Sequence, residues 1–403
     1  MNHLPTTPPP HRSHDMKQRL MQTWTRGALA AALAAWCVAS AQAGDLKVGL
    51  SVSLSGPNSS VGVPYAKGMQ AALAYQPAVD GRKVQLIVLD DGSDPSSAGR
   101  NARKLIEEEK VDLLMGTSGV PAAIAMAQVG KEAKTPMIGL TPILLDPNEN
   151  PWVVTVAQPV QLMIDAVVER MKRNKVRTVG YIGFSDAWGD LVYDTLMKAA
   201  SGAGIEVVGN ERYARADPSV TGQVLKLVAL RPDAVMTGGS GTPGALPFLA
   251  LQERGFKGGV YGQHGLINPD FVRVVGTAGQ NALMPTGPVI VAEQLPPDHP
   301  TRKIAASFRA AFRKVHQAPT SDAFSAYSFD AWLVFADAAS RAMKKAQPGT
   351  PEFRVALRDA IVSTKEVVGT HGVYNFKPGS LYGVDERARV IVRLDNSQWK
   401  LAP

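Results

Sequence analysis

Small polar residues end six apolar segments of this 403-residue sequence, and their hydroxyl and amide groups can bind a small ligand by hydrogen bonding. The segments occupy residues 48–57, 113–119, 137–142, 179–189, 234–241 and 260–265. A short apolar run bounded by glycine and proline is typical of a buried strand in a parallel sheet. Open α/β sheets bind ligands beyond the carboxyl ends of such strands. Three segments precede residue 150 and three follow residue 175, which predicts two sheets that face one crevice.

The same residues do not complete a catalytic or cofactor-binding motif. Residues 239–244 match G-x-G-x-x-G, but the acidic residue expected about 20 positions later in a dinucleotide site is missing. Neither Ser118 nor Ser240 completes the G-x-S-x-G motif of a hydrolase. The histidines after residue 43 are too widely spaced for a metal-binding pair. The pattern therefore favours a binding protein over an enzyme, and it predicts no cofactor and no metal.

Composition places the chain among globular proteins with room for two domains. Apolar residues make up 45% and charged residues 19% of the sequence. The net charge of +8 falls to +5 when the first 43 residues are excluded, and no run of Lys and Arg dominates the remainder. A dispersed excess of this size contributes to solubility. The composition therefore gives no reason to expect nucleic-acid binding.

The N-terminus has the pattern of a secretory signal peptide. Basic residues at 17, 19 and 26 precede an apolar run at 27–41, and an A-x-A sequence at 41–43 predicts cleavage before Gly44. A membrane anchor is the alternative, although this run of 15 residues is shorter than the roughly 20 that span a bilayer. Cys37 is the only cysteine and lies inside this segment, so the mature chain contains no disulfide. We therefore predict that residues 1–43 are a signal peptide and that the mature protein is exported.

Strands and amphipathic helices alternate from residue 45 onward, which implies doubly wound parallel α/β sheets. Proline-rich breaks at 141–159 and 282–289 interrupt the pattern. We predict strands at 46–54, 84–90, 111–115, 137–140, 178–184, 206–213, 233–238 and 259–262, and a final strand pair at 373–376 and 388–394. We predict helices at 61–75, 95–109, 121–134, 160–174, 189–203, 220–229, 244–255, 301–316, 320–345 and 351–363.

Three of these stretches resemble the solute-binding components of branched-chain amino acid-type ABC importers, the type I periplasmic binding proteins. They read LKVGLSVSLSGPNSSVGVPYAKGMQAAL, MGTSGVPAAIAMAQVGKEAKTPMIG and GYIGFSDAWGDLVYDTLMKAA. The resemblance implies two α/β lobes joined by a three-crossing hinge, with residues 45–156 and 285–375 in lobe 1 and residues 157–284 and 376–403 in lobe 2. It also implies a periplasmic receptor that passes a small ligand to an inner-membrane permease. We expect a monomer, and a periplasmic ligand sensor is the alternative role.

On the first lobe the resemblance implies a set of ligand-binding residues near three strand ends. They are Ser60, Val61, Gly116, Thr117, Ser118 and Thr141. The Gly116 to Ser118 segment matches the position that holds the ligand carboxylate, although serine and threonine also cap helices routinely. Thr141 matches a second ligand contact and is otherwise a turn residue. Ser60 and Val61 match a loop that shapes the ligand pocket, and a plain loop is the alternative.

On the second lobe the resemblance implies contacts from Trp188 and His264, and Gly239 and Ser240 are further candidates because they lie at the next strand end. Trp188 occupies a position where relatives place an aromatic residue on the ligand. His264 stands where amino-acid-binding relatives carry an acidic residue that pairs with the ligand ammonium group. An unpaired ammonium in a closed cleft is costly. We therefore expect a small carboxylate ligand, an organic or aromatic acid rather than an amino acid. A structural role for His264 and an amino acid or amide ligand remain the alternatives.

Overall fold

The computed structural model describes residues 44–320 and 322–402, so the predicted signal peptide lies outside the described residues. The strands are β1 (Leu46–Val52), β2 (Ala78–Val79), β3 (Arg82–Asp90), β4 (Leu113–Gly116), β5 (Met137–Gly139), β6 (Val153–Thr155), β7 (Thr178–Phe184), β8 (Glu206–Tyr213), β9 (Ala234–Gly238), β10 (Gly259–Tyr261), β11 (Leu283–Thr286), β12 (Val367–Val368), β13 (Val373–Tyr374), β14 (Val390–Asp395) and β15 (Gln398–Leu401). The α-helices are α1 (Ser59–Tyr75), α2 (Pro95–Glu107), α3 (Val120–Glu132), α4 (Val160–Arg173), α5 (Ala187–Ala203), α6 (Thr221–Ala229), α7 (Leu246–Glu253), α8 (Pro269–Val275), α9 (Arg302–His316), α10 (Ala323–Ala342) and α11 (Pro351–Val362).

The first sheet has the strand order β2-β3-β1-β4-β5-β6 and is parallel except for the short edge strand β2. Strand β1 lies near its centre, with Leu50 opposite Val88 on one side and Met115 on the other. Nearly every side chain of β1 is buried, as expected for a parallel strand covered by helices on both faces. The predicted doubly wound sheet is therefore confirmed in this half of the chain.

The second sheet has the order β15-β14-β11-β10-β9-β7-β8. Strands β7 to β11 are parallel, whereas β14 runs antiparallel to β11 and to β15. The predicted final strand pair was wrong, because β13 pairs with β12 in a separate two-stranded sheet. Strand β14 instead pairs with β11 and with β15, and β15 follows β14 after a two-residue turn at Asn396 and Ser397, which have φ angles of 48° and 61°. Positive φ at both central residues is the geometry of a tight hairpin.

Two strands lie inside the proline-rich segments that interrupted the predicted pattern. β6 is a three-residue edge strand, and β11 includes Pro285. A short edge strand carries little periodicity, and proline argues against a strand in sequence reasoning. Pro285 is tolerated in β11, whose ladder with its parallel neighbour β10 is limited to the pair Tyr261 and Leu283.

Three connections carry the chain between the two sheets. They are residues 156–159 between β6 and α4, the segment that begins at Gly287 after β11, and residues 375–389 between β13 and β14. Thr155 forms an isolated parallel bridge with Tyr382, so the third connection begins beside the first sheet. Helices α9 and α10 pack against α1, and this packing buries the side chain of Trp332 completely. None of the helices in the described part of the chain combines the length and apolar character of a membrane span.

Candidate functional site

A cavity lies between the carboxyl ends of the strands of the two sheets. Six of the ten predicted site residues line it: Val61, Ser118, Thr141, Trp188, Ser240 and His264. The other lining residues are Tyr65, Gly119, Val120, Leu140, Pro142, Arg215, Gly265, Phe324 and Tyr327. Both sheets therefore contribute residues to one shared cavity, as the two sets of polar strand ends predicted.

Four predicted residues lie beside the cavity without lining it. Ser60 Oγ accepts a hydrogen bond from the Thr242 backbone N–H at 3.0 Å, a contact that joins the two sides of the cleft. The Thr117 hydroxyl donates to the buried carboxylate of Asp91. The two glycines, Gly116 and Gly239, leave room for close packing, since a side chain on Gly116 would lie 2.3 Å from the Ser51 carbonyl oxygen. These residues therefore support the cavity wall.

The first sheet presents an uncapped helix N-terminus to the cavity. Helix α3 starts after Gly119, which has no side chain to cap it, and its first turn contains no acidic residue. The neighbouring Ser118 hydroxyl oxygen accepts the Ser53 backbone N–H at 2.9 Å, so its own proton is available to a ligand. A helix N-terminus with free N–H groups attracts anions. This part of the cavity is suited to a carboxylate.

Aromatic side chains form the wall next to this helix terminus. The Tyr65 hydroxyl donates to the Leu140 carbonyl at 2.6 Å, and the Tyr65 ring meets Phe324 edge to face at 5.5 Å. Burial raises the pKa of Tyr65 well above its usual value, so the phenol stays neutral. From the sequence, Tyr65 is a possible contributor to the far wall of the pocket, with a core position as the alternative, whereas Leu140 and Phe324 were not predicted to line it. Their place in the wall depends on the packing of α10 against α1.

The second sheet contributes a charged residue that sequence analysis missed, Arg215. Its Nε donates to Asp186 Oδ2 at 2.6 Å, and its Nη1 donates to Ser240 Oγ at 2.9 Å and to Asn58 Oδ1 at 2.8 Å. Asn58 belongs to the side of the first sheet, so this guanidinium bridges the cleft. Its carbon also lies 4.1 Å from the centroid of the Phe184 ring. The signal that could have revealed Arg215 is its position two residues after the end of β8, on the same sheet edge as Ser240.

Asp186 is occupied by other contacts and does not face the cavity. Its Oδ1 accepts the backbone N–H groups of Trp188 and Gly189 at the start of α5, and its Oδ2 accepts from Arg215. The helix terminus on this side is therefore already capped by a carboxylate, unlike that of α3. Among the described residues that line the cavity, Arg215 carries a formal charge and no side chain is a carboxylate.

His264 and Trp188 supply unused hydrogen-bonding atoms. Both ring nitrogens of His264 and the indole nitrogen of Trp188 are buried, and none has a hydrogen-bond partner among the described residues. The two rings meet edge to face with centroids 5.7 Å apart. Burial lowers the pKa of His264 to about 3, so the imidazole is neutral at physiological pH and offers one donor and one acceptor. Buried polar groups without partners are costly, so a polar ligand that satisfies them would bind favourably.

Two predominantly parallel α/β sheets that share one cavity between their strand ends define a two-lobed ligand-binding protein. The chain belongs to the periplasmic binding protein family, whose model matches residues 45–377. The family and the fold predicted from the sequence are thereby confirmed. Family members are binding proteins, and this chain is a solute-binding receptor of that family.

Similar proteins are found among both curated sequences and solved structures. Rp1789 of Rhodopseudomonas palustris strain CGA009 is 39% identical, with a TM-score of 0.86 over 89% of this chain and 100% of that chain. "Leu/Ile/Val-binding protein homolog 3" of Brucella melitensis biotype 1 is 27% identical over 61% of this chain and 68% of its own length. An ABC-transporter solute-binding protein of R. palustris in complex with benzoate shares the fold, at 20% identity and a TM-score of 0.73 over 89% of this chain and 95% of that chain.

Proposed function

We propose that this protein captures a small organic or aromatic carboxylate in the cavity and delivers it to an inner-membrane ABC permease. Each sheet with its helices acts as one lobe in this proposal, with the chain divided near residues 156, 285 and 376. The lobes close on the ligand by a hinge motion, and the permease reads the closed form. The mature receptor is periplasmic and leaves its ligand chemically unchanged.

The charge of the cavity wall is the observation that carries this proposal. The N-terminus of α3, which no side chain caps, and the guanidinium of Arg215 both attract an anion. No lining side chain among the described residues is a carboxylate that could pair with a ligand ammonium group. An amino acid would therefore bury its ammonium without an ionic partner, which is costly. An acid that lacks this group avoids that penalty.

The remaining lining suits an apolar or aromatic ligand body. Val61 and Leu140 supply aliphatic surface, and Tyr65, Phe324 and Trp188 supply aromatic surface. Aromatic side chains provide large contact areas with defined edge and face geometry. The relative that was solved with benzoate shows that the fold accommodates an aromatic acid. The neutral His264 and the Trp188 indole N–H provide partners for a polar group of the ligand.

A branched-chain amino acid is the second candidate ligand, because the Brucella relative is named as a Leu/Ile/Val-binding protein. In that case the ligand ammonium group would be held by neutral acceptors, such as the Ser240 hydroxyl, the His264 imidazole and backbone carbonyls. Neutral acceptors stabilise a buried ammonium less than a carboxylate does. The two candidates therefore differ in one chemical group, which can be varied directly.

Titration calorimetry on residues 44–403 with leucine and with 4-methylpentanoate tests the proposal. The second compound is leucine without its ammonium group, so the pair isolates that group. We expect 4-methylpentanoate to bind more tightly than leucine, and benzoate more tightly than benzamide. A receptor of this class is expected to reach micromolar dissociation constants, about −8 kcal/mol in binding free energy. Micromolar leucine binding with no response to either acid would reject the proposal.

A further inference from the structure

A buried polar cluster lies where the chain passes between the two sheets. We call Gln158, Tyr327, Asp330, His371 and Tyr374 the hinge cluster; the side chains of all five are almost completely buried. Gln158 lies on the first connection, Tyr327 and Asp330 lie on α10, His371 lies just before β13, and Tyr374 lies in β13. Fully bonded buried polar groups fix one arrangement of the elements that carry them.

Gln158 is the centre of this cluster, because its side chain contacts several elements at once. Its Nε2 donates to the Ala388 carbonyl on the third connection at 3.1 Å and lies 3.3 Å from His371 Nδ1. Its Oε1 accepts the hydroxyl proton of Tyr327. A side chain on Gly287, where the second connection begins, would lie 1.9 Å from His371 Nδ1. All three connections therefore meet at Gln158 and His371.

Asp330 anchors the same residues to α10. Its two oxygens accept the backbone N–H groups of Thr370 at 2.6 Å and of His371 at 2.9 Å. The Tyr374 hydroxyl lies 2.9 Å from both Asp330 Oδ2 and the Val156 carbonyl on the first connection. His371 Nε2 lies 2.9 Å from the Ala323 carbonyl, at the start of α10. Helix α10 therefore holds the segment before and within β13, and through Tyr374 the first connection, by buried side chains.

Tyr327 connects this cluster to the ligand cavity. Its ring lines the cavity and also stacks on His371, with centroids 3.8 Å apart and an interplanar angle of 12°. Its hydroxyl donates to Gln158. A ligand that contacts this ring therefore touches a residue bonded directly to the connections. We propose that Tyr327 is a positioning residue that couples occupancy of the cavity to the angle between the lobes, by holding Gln158 and His371 in the closed arrangement.

Three Tyr→Phe variants separate this role from simple cavity lining. Tyr327→Phe removes the hydroxyl bonded to the hinge cluster, and Tyr374→Phe removes a cluster hydroxyl that does not line the cavity. Tyr65→Phe is the matched control, because this hydroxyl belongs to a cavity-lining tyrosine and donates to Leu140, away from the connections. Gln158→Leu breaks the cluster without altering the cavity wall and provides a second variant should Tyr327→Phe fold poorly.

Pulsed electron paramagnetic resonance on spin-labelled protein measures the distance between a label on each lobe. This distance changes with the angle between the lobes and can be measured without a ligand. The chain after residue 43 contains no cysteine, so labels can be placed at cysteines substituted for the exposed Lys104 on α2 and Lys198 on α5. We expect Tyr327→Phe, Tyr374→Phe and Gln158→Leu to reduce the population at the closed distance at least three-fold. We expect Tyr65→Phe to give the same distance distribution as the labelled protein that keeps Tyr65.

Ligand affinity provides the second readout. With benzoate as the probe, we expect Tyr327→Phe and Tyr374→Phe to raise the dissociation constant about ten-fold, even though Tyr374 does not touch the cavity. Distance distributions that superimpose for all the variants would overturn the inference. Because the distances are measured without ligand, failure of benzoate to bind would count against the proposed ligand class and leave the test of the hinge cluster intact.

Discussion

Replacement of Arg215 by glutamine should reduce the preference of the cavity for a carboxylate over its neutral amide. The guanidinium side chain is 14% exposed and that of its partner Asp186 is 23% exposed, so water screens both charges only in part. A ligand carboxylate about 5 Å from the guanidinium would gain roughly 3 kcal/mol at an effective dielectric constant of about 20. The Asp186 carboxylate, 2.6 Å from Arg215 Nε, offsets much of this attraction, so we expect Arg215→Gln to weaken the preference for benzoate over benzamide by about 1 kcal/mol, roughly five-fold in relative affinity.

The choice of ligands isolates this charge effect from other consequences of the substitution. Arg215→Gln also removes the hydrogen bond to Asn58 that bridges the cleft, and this loss weakens closure around any ligand. Because closure affects benzoate and benzamide alike, it cancels in the ratio of their dissociation constants. The ratio therefore reports the interaction of the guanidinium with the ligand charge.

Titration calorimetry on residues 44–403 measures both constants for each variant. The matched control is Arg212→Gln, since Arg212 lies near the end of the same strand but pairs with Asp190 at 3.0 Å and does not line the cavity. We expect the control to keep the benzoate-to-benzamide ratio within about two-fold, because a partly exposed pair outside the cavity contributes little. A ratio that stays the same in Arg215→Gln would refute the electrostatic role of this residue.

Two further predictions concern His264 and the closure of the cleft. Because burial lowers the pKa of His264 to about 3, the contribution of the neutral imidazole to stability is complete above about pH 6.5 and declines below it. In urea titrations, the unfolding free-energy difference between the wild type and His264→Asn should therefore shrink by about 2 kcal/mol between pH 7 and pH 5. A difference that does not change with pH would contradict this. Gly241→Ala should weaken ligand binding at least ten-fold, because a side chain there would lie 2.5 Å from Ser60 Oγ across the cleft. Gly255→Ala is the control, with a similar φ of +66° and no atom within 4 Å; equal effects on affinity would argue against a steric block to closure.

The sequence predicted the parallel sheets well because their strands are buried, apolar and bounded by small residues. It also predicted Ser118, Ser240 and His264 as cavity residues, since carboxyl ends of parallel strands necessarily meet at one sheet edge. It did not separate Ser118 from its neighbour Thr117, whose hydroxyl bonds Asp91. Adjacent residues at a strand end point in opposite directions, and their exact orientation depends on the turn that follows.

The site residues that the sequence left undecided or did not reveal depend on contacts that are distant in the sequence. Tyr327 lies within the apolar helix α10, where a sequence pattern cannot distinguish a core position from a cavity wall. Its role requires α10 to pack against α1, and Gln158 to lie beside it at a separation of 169 residues. Arg215 follows an edge strand whose end is not apolar, so the pattern that revealed the other strand ends did not include it.

A crystal structure of residues 44–403 with the tightest-binding acid of the panel tests the central claim most directly. We predict a ligand carboxylate at the N-terminus of α3, hydrogen-bonded to Ser118 and within reach of the Arg215 guanidinium, with the ligand body against Tyr65 and Trp188. The ligand should be chemically intact. A ligand bound outside this cavity, or bound inside it with its carboxylate directed away from α3 and Arg215, would contradict the account.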